Sequence, residues 1–153
     1  AMCAAQSLED EMIIALIFVH LIPTRSEYQE ESEWWDAYDL FEAKQLELTF
    51  GNLLKSLERS KSIPESFISK LKAAKSIRDI LAHSFFRDHA EKMFSESGHS
   101  SMLDYCDQAI DRFQELDDEL EALMKPAFEA HGLSDEMVNE AVARFIDEAS
   151  ARE

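Results

Sequence analysis

The chain has 153 residues, with 15 Lys and Arg residues against 32 Asp and Glu residues, and its formal charge is −17. Hydrophobic residues make up 46% of it, which disfavours general disorder, and the length fits one domain. It has only 3 Gly and 3 Pro, whereas all-β sandwiches and dinucleotide-binding α/β folds usually need more turn and phosphate-loop glycines. The charge argues against a protein that coats nucleic acid or an anionic membrane with its whole surface, and it leaves room for a local basic site.

The cysteines and the most apolar segment both indicate a cytoplasmic protein. Cys3 and Cys106 are too few for a disulfide framework, and we expect both thiols to be reduced. The apolar run Met12–Ile22 is shorter than the ~20 residues that a membrane span needs. Three consecutive acids precede it, where a signal peptide would carry basic residues. We therefore predict a buried core helix here and no membrane partner.

Helix start and stop signals are frequent in the first half of the chain. A first helix is predicted from about Ser7 to Ile22, stopped by Pro23. The polar stretch Thr24–Ser32 is predicted to be a loop. A long second helix then runs from about Glu33 to Ser60, and Gly51 inside it indicates close helix packing or a bend.

The second half continues the helical pattern. Ser62-Ile-Pro-Glu65 combines a capping-box spacing with a first-turn proline and predicts the start of a third helix. Its apolar stripe is Phe67, Leu71, Ala74, Ile77 and Leu81. A serine-rich break over 95–100 precedes a fourth helix, which starts at Ser101 and is interrupted at Pro126. Its apolar face is predicted to be Leu103, Cys106, Ile110, Phe113, Leu116, Leu120 and Leu123.

These elements predict an all-α fold, a helical bundle of four to five helices in a single domain over 1–153. The core is expected to span about 7–125. Gly132 is expected to follow the end of a helix. A C-terminal helix over about 134–150 is expected to pack on the core or to serve in an interface.

Charge is unevenly distributed along the chain. Between Lys55 and Lys92 there are nine basic and five acidic residues, a net +4, which leaves six basic against 27 acidic residues, a net −21, for the rest. Lys70, Lys72 and Lys75 on their own are typical of an ordinary solvated helix face. The window is nevertheless the one place where the chain could meet a polyanion.

Within this basic window, Arg78, Asp79 and His83 interrupt a very apolar context. An Arg can stabilise the negative charge of a phosphate, and a His can move protons near neutral pH, so the two could support metal-free RNA cleavage. Five positions along a regular helix place Arg78 and His83 about 140° apart. Convergence therefore requires the helix to end or bend near His83, or a second copy. The alternative is a structural Arg78–Asp79 ion pair with His83 as a capping or core residue.

The segment Arg78-Asp79-Ile80-Leu81-Ala82-His83 resembles the R-polar-x3-H form of the Rx4-6H motif of HEPN domains. The wider context, Leu81-Ala-His-Ser-Phe-Phe86 with Thr49-Phe-Gly-Asn-Leu-Leu54 and Ile63-Pro-Glu65 upstream, is similar to small bacterial HEPN-like proteins. The resemblance covers roughly Leu8–Leu123 and implies a compact helical bundle.

Many HEPN proteins are metal-independent endoribonucleases, often toxins of toxin–antitoxin pairs, that dimerise so that two motifs face one cleft. The resemblance thus implies a homodimer and, as partners, RNA and an antitoxin or another protein. Arg78 would bind the scissile phosphate, His83 would transfer protons and Asp79 would orient them, while Lys72, Lys75 and Arg87 would add weak RNA contacts. Asp79 stands where Asn is frequent. Other HEPN-like proteins are non-catalytic interaction or scaffold modules, which is the alternative function.

No cofactor or metal is predicted. One Glu-x-x-His spacing occurs, at Glu96-Ser-Gly-His99, whereas a di-iron carboxylate bundle needs two. The common nucleotide, hydrolase and redox motifs are missing from the sequence. His20 is interpreted as a core histidine. Of the adjacent Trp34 and Trp35, one is expected to anchor the core and the other to be partly exposed.

Overall fold

The structure is a computed structural model that describes residues 1–132. The helix predicted over 134–150 lies outside the described residues. Residues 1–122 form one compact unit, a second unit starts at Leu123, and each is described by itself. The prediction of a single domain stays a prediction.

The described residues form α-helices joined by short turns, without a strand, and the all-α prediction is confirmed for them. The α-helices are α1 (Met2–Leu16), α2 (Glu31–Leu46), α3 (Phe50–Ser60), α4 (Glu65–His83), α5 (Phe85–Asp88) and α6 (Glu96–Ala130). These six within residues 1–132 make the predicted count of four to five wrong. The predicted second helix is in fact two helices, and the short α5 was not anticipated.

The first helix changes its winding before the proline. The α-helical part ends at Leu16 and is followed by a π-helical turn, Ile17–Leu21, and a 3-10 helix, Ile22–Glu27. Pro23 lies at the start of the 3-10 helix, where its missing N–H group is tolerated. His20 is exposed, so its interpretation as a core histidine is wrong. Most of the apolar run is buried, namely Met12, Ile13, Ala15, Leu16, Ile17 and Leu21.

The helix predicted over Glu33–Ser60 breaks between Leu46 and Phe50. Thr49 has an extended backbone, with φ −78° and ψ 158°, and its carbonyl accepts the N–H groups of Asn52 and Leu53 at 2.8 and 3.0 Å. The imperfect apolar spacing of this stretch follows from the break, because two helices with different buried faces were treated as one. Trp34 is the buried residue of α2, and Trp35 is 52% exposed, as expected of the adjacent pair.

The core of the first unit lies among α1, α3, α4 and α6. Phe67, Leu71 and Ala74 of the predicted α4 stripe are buried. From α1 and α3 come Ala5, Leu8, Met12, Leu16, Phe50, Leu53, Leu54 and Leu57. Burial of large apolar side chains of this kind supplies about 1.5–3 kcal/mol each, which outweighs what short helices gain from local propensity.

None of the helices within residues 1–132 combines the length and the apolar character that crossing a bilayer requires. The thiols of Cys3 and Cys106 are free.

The start of α6 is fixed by a cap and by a close backbone approach. Ser95 has an extended backbone and its Oγ accepts the N–H of Gly98 at 3.1 Å, an N-terminal cap. A Cβ on Gly98 would lie 2.0 Å from the carbonyl oxygen of Lys92, so only glycine fits there. The predicted break over 95–100 is therefore confined to Ser95, and the start expected at Ser101 is wrong.

The buried face of α6 is shifted by one residue from the prediction in its first turns. Leu103 is 64% exposed, while Met102 and Ala109 are buried together with Phe113, Leu116 and Leu120. Pro126 lies inside α6, which continues to Ala130, so the predicted interruption is wrong. A proline removes one backbone hydrogen bond from a helix without always ending it. Gly132 adopts a left-handed backbone, with φ 79°.

Candidate functional site

The motif lies on the last turns of α4, which is continuously helical up to His83. Because the helix does not bend between Arg78 and His83, the two side chains leave it in different directions. Arg78 is mostly buried and is directed towards α1, whereas His83 is exposed at the helix end. Within one chain the structure does not bring these two residues together.

Arg78 forms its ion pair with a buried acid of α1. Its Nε lies 3.4 Å from Oε1 of Glu9, and the two side chains are 24% and 12% exposed. Its second ion pair joins Nη1 to Oδ1 of Asp79 at 3.6 Å. Both separations are long, and Arg78 Nε, although buried, has no hydrogen-bond acceptor among the described residues. The guanidinium is held by charge more than by hydrogen bonds.

Burial dominates the titration of Glu9. It raises the pKa of Glu9, and the adjacent Arg78 partly offsets this by favouring the ionised form. The position of Glu9 explains the burial, because the residue sits one helical turn after Ala5 and one before Ile13, both on the apolar side of α1. The cation of Arg78 is thus the counter-charge of a carboxylate inside the α1–α4 contact.

Asp79 binds Lys75, one turn earlier on α4, in a direct ion pair. This contact holds the pKa of Asp79 below its usual range, with smaller contributions from the charges of Arg78 and His83. Gly51 at the start of α3 leaves room for the Lys75 side chain, since a Cβ there would lie 2.8 Å from Lys75 Cε. Asp79 therefore links Lys75, Arg78 and His83 electrostatically.

Three other cations of the basic window are also paired. Lys72 binds Glu58 of α3 at 2.7 Å, and Lys70 binds Glu119 of α6 at 2.7 Å. Arg87 lies 3.4 Å from Asp88, is largely exposed, and contacts none of the motif side chains within residues 1–132. The RNA contacts expected of Lys72, Lys75 and Arg87 stay a prediction. The exposed cations of the window without an ion pair in the described part are Lys55, Arg59, Lys61 and Lys92.

A second acidic cluster lies between α1 and α6. Ser7 Oγ donates to Asp117 Oδ2 at 3.4 Å, and one oxygen each of Glu11 and Asp117 is buried without a hydrogen-bond partner among the described residues. Burial and the neighbouring Asp117 and Glu121 raise the pKa of Glu11 to about 7. No group of three or more His, Cys, Asp or Glu within residues 1–132 is arranged to hold a metal ion.

Two of these residues, Glu9 and Asp117, lie outside the motif and cannot be identified from the motif alone. Glu9 appears in the sequence as one of three acids at the start of an apolar run, and its spacing of four from Ala5 and from Ile13 is the signal that places it on the buried side. No comparable signal identifies Asp117 as a neighbour of Glu11, since the two residues are brought together only by the packing of α6.

Comparison of the chain with protein-family models, with curated proteins and with solved structures finds no match. The resemblance to HEPN domains therefore stays a prediction from the motif residues of the sequence.

The structural role of Arg78 can be tested by stability measurements. Arg78→Met is expected to lower the free energy of unfolding by about 1–3 kcal/mol, because Glu9 is left buried without its cation. In the double variant Glu9→Gln/Arg78→Met the loss is expected to be smaller than the sum of the two single losses. Urea unfolding followed by circular dichroism measures all three variants.

Lys72→Met is the matched control for this experiment. It removes a cation from the same helix, but the Lys72 and Glu58 side chains are 53% and 47% exposed, and exposed pairs contribute at most about 1 kcal/mol. If Arg78→Met costs no more than Lys72→Met, or if the Glu9 and Arg78 losses simply add, the Glu9–Arg78 pair does not stabilise the fold.

The raised pKa of Glu11 predicts a pH dependence of stability. Because folding raises this pKa from 4.5 to about 7, the stabilising effect of the protonated carboxyl is complete below pH 4.5 and is lost as the pH rises through 7. Glu11→Gln is expected to unfold less readily than the wild type at pH 8, by about 1–2 kcal/mol, a value reduced for the partial solvent exposure of the side chain.

Urea unfolding at pH 5 and pH 8 measures this difference, with the exposed acid Glu33→Gln as control. The wild type should lose more stability between the two pH values than Glu11→Gln does, and Glu33→Gln should behave as the wild type. Parallel pH dependences of the wild type and Glu11→Gln would contradict the assignment.

Proposed function

We propose that this protein is a HEPN-like interaction module in which Arg78 supports the fold and the end of α4 forms a contact surface for a second copy. The observation that carries this proposal is the ion pair between Arg78 and the buried Glu9. An arginine that neutralises an interior carboxylate is not available to bind a phosphate without uncovering that charge.

The electrostatics around the motif support the same view. The cations Lys75 and Arg78 lie next to the acids Glu9 and Asp79, so the local formal charge is zero. Phosphate binding and stabilisation of a phosphoryl transition state rely on a preorganised excess of positive charge. A neutral cluster of this kind provides little of it.

The contact surface is the α5 surface, defined here as Ile80, Phe86, Met93 and Phe94. Phe86 is 65% exposed and Phe94 is 90% exposed, and exposed apolar patches on soluble domains mark interaction sites. Its base is firmly packed, because the buried Phe85 contacts Phe86, His89 and Tyr105 with ring centroids 4.7–5.4 Å apart. The backbone of Met93 is bonded to His99 Nε2 at 2.7 Å.

A second copy is the partner that this proposal commits to. The resemblance to HEPN domains implies a dimer formed next to the motif, and the α5 surface directly follows His83 in the chain. Two such surfaces meeting across a twofold axis would bury the four apolar side chains against their own counterparts, as isologous interfaces do.

The oligomeric state tests the proposal. Light scattering coupled to size-exclusion chromatography is expected to show a dimer for the wild type and a monomer for Phe86→Ser/Phe94→Ser, with the dissociation constant at least tenfold higher, since two apolar anchors are lost. The control is Leu40→Ser/Leu46→Ser, which changes two exposed leucines of α2 and should leave the dimer intact. A monomeric wild type at 100-micromolar concentration, about what weak dimers need, would overturn the dimer.

A metal-independent endoribonuclease is the second candidate. Two observations favour it. The ion-pair distances of Arg78 are long, and its Nε has no hydrogen-bond acceptor among the described residues. In addition, His83 is exposed. In this reading a phosphate displaces Glu9 or Asp79 from the guanidinium, and a second copy brings His83 to the same cleft.

An RNA cleavage assay in the presence of a chelator separates the two candidates. The interaction module predicts no cleavage of a mixed RNA pool by the wild type, because the cations are neutralised. Cleavage by the wild type that is lost in both His83→Ala and Arg78→Ala, while the exposed-site control Lys44→Ala retains it and circular dichroism shows all variants folded, would replace the first candidate by the second.

A further inference from the structure

The α2 helix is attached to the rest of the first unit by one narrow side. Trp34 is its one buried residue, and Tyr38 and Phe41 beside it are half-buried. Trp34 is held by an edge contact with Tyr28, at 5.7 Å between ring centroids, and by the guanidinium of Arg25, 5.3 Å above its ring. The opposite side of the 16-residue helix is left uncovered within the described part of the chain.

This uncovered side mixes apolar and acidic residues in a regular order. Trp35, Asp39, Glu42 and Leu46 follow one another at spacings of four, three and four, which places them along one ridge of the helix. Trp35, Leu40 and Leu46 are 52–61% exposed. We call this ridge, with Asp36 beside it, the α2 outer face. Large apolar side chains on a solvent-facing helix surface are the mark of a partner site.

The charge of this region is not balanced by the chain itself. Between Glu27 and Glu47 there are eight acids and one base, Lys44. None of these acids forms an ion pair within residues 1–132, although the acids Glu9, Glu58 and Glu119 elsewhere all do. The helix that exposes Trp35 therefore carries acids that have no ion-pair partner within residues 1–132.

Like charges on the α2 outer face repel one another. Asp36 and Asp39, and then Asp39 and Glu42, are three residues apart on the same helix, a spacing at which like charges destabilise it. Burial and the nearby Glu42 and Asp39 raise the pKa of Tyr38, which agrees with a strong negative field there. An opposite charge brought by a partner would relieve this repulsion.

Trp35 is presented in a defined orientation. Its ring meets the ring of Tyr38 edge to face, with centroids 5.7 Å apart and planes at 65°. Because Tyr38 is itself half-buried, the indole has a firm support on one side and solvent on the other. Supported, exposed aromatic rings of this kind are the residues that carry most binding energy in protein interfaces.

We propose that the α2 outer face binds a cationic amphipathic helix of a partner protein, in which Lys or Arg residues flank an apolar stripe. The apolar stripe would cover Trp35 and Leu46, and the cations would pair with Asp36, Asp39 and Glu42. The sign of the charge excludes RNA and an anionic membrane as occupants. It also disfavours the α2 outer face of a second copy, which carries the same acids. Recognition follows the helix-on-helix mode, with charge complementarity selecting the partner.

Isothermal titration calorimetry of the full chain with a 14-residue Leu/Lys peptide of amphipathic helical pattern tests the proposal. The wild type is expected to bind it, and both Trp35→Ser/Leu46→Ser and Asp36→Asn/Asp39→Asn/Glu42→Gln are expected to weaken binding at least tenfold. The matched control is Asp104→Asn/Asp107→Asn/Asp111→Asn, which removes the same charge from exposed positions of α6 and should leave the affinity unchanged.

A scrambled peptide with the same composition and no amphipathic pattern provides the second control. Equal binding of the scrambled peptide, or equal weakening by the α6 control, would show that only net charge acts and would overturn the proposal. Concentration-dependent self-association that Trp35→Ser/Leu46→Ser abolishes would identify a second copy as the occupant and would also overturn it. These outcomes are independent of whether the α5 surface dimerises.

Discussion

A carboxylate in the contact between α1 and α4 sets the main constraint on this structure. Glu9 lies on the apolar side of α1, where an unpaired negative charge would be costly. Arg78 is the cation that pairs with Glu9. In a catalytic motif, Arg78 would instead bind a phosphate. The direction of the Arg78 side chain follows from this pairing, while α4 itself is held by the burial of Phe67, Leu71 and Ala74.

The acids of the chain fall into two groups with different consequences. Those near α3 and α4 are matched by lysines and arginines, as in Lys72–Glu58 and Lys70–Glu119, and they tie helices together across the surface. Those of α2 have no such partners within residues 1–132. The overall charge of −17 thus combines a basic region, several of whose cations pair with nearby acids, with an acidic helix whose charges have no ion-pair partner within residues 1–132.

The sequence correctly predicted buried residues where a helix has a regular apolar stripe. It failed to predict features that are determined by contacts between helices. The predicted α4 stripe is buried at Phe67, Leu71 and Ala74, where the spacing is four and three, whereas its last members Ile77 and Leu81 are half-buried. The break before Phe50 was missed because Thr49 interrupts the helix through its extended backbone, without a Pro or Gly at the break. The pairing of Glu9 with Arg78 was missed because no local pattern links residues so far apart in the chain.

The close approach of Gly98 to Lys92 has a consequence for the shape of the α5 surface. With no side chain at Gly98, the first turn of α6 lies directly against the backbone that leads into Met93 and Phe94. The exposed position of the Phe94 ring therefore depends on the absence of a side chain at Gly98 of α6. A substitution of Gly98 would change the α5 surface, although Gly98 is not one of the residues of that surface.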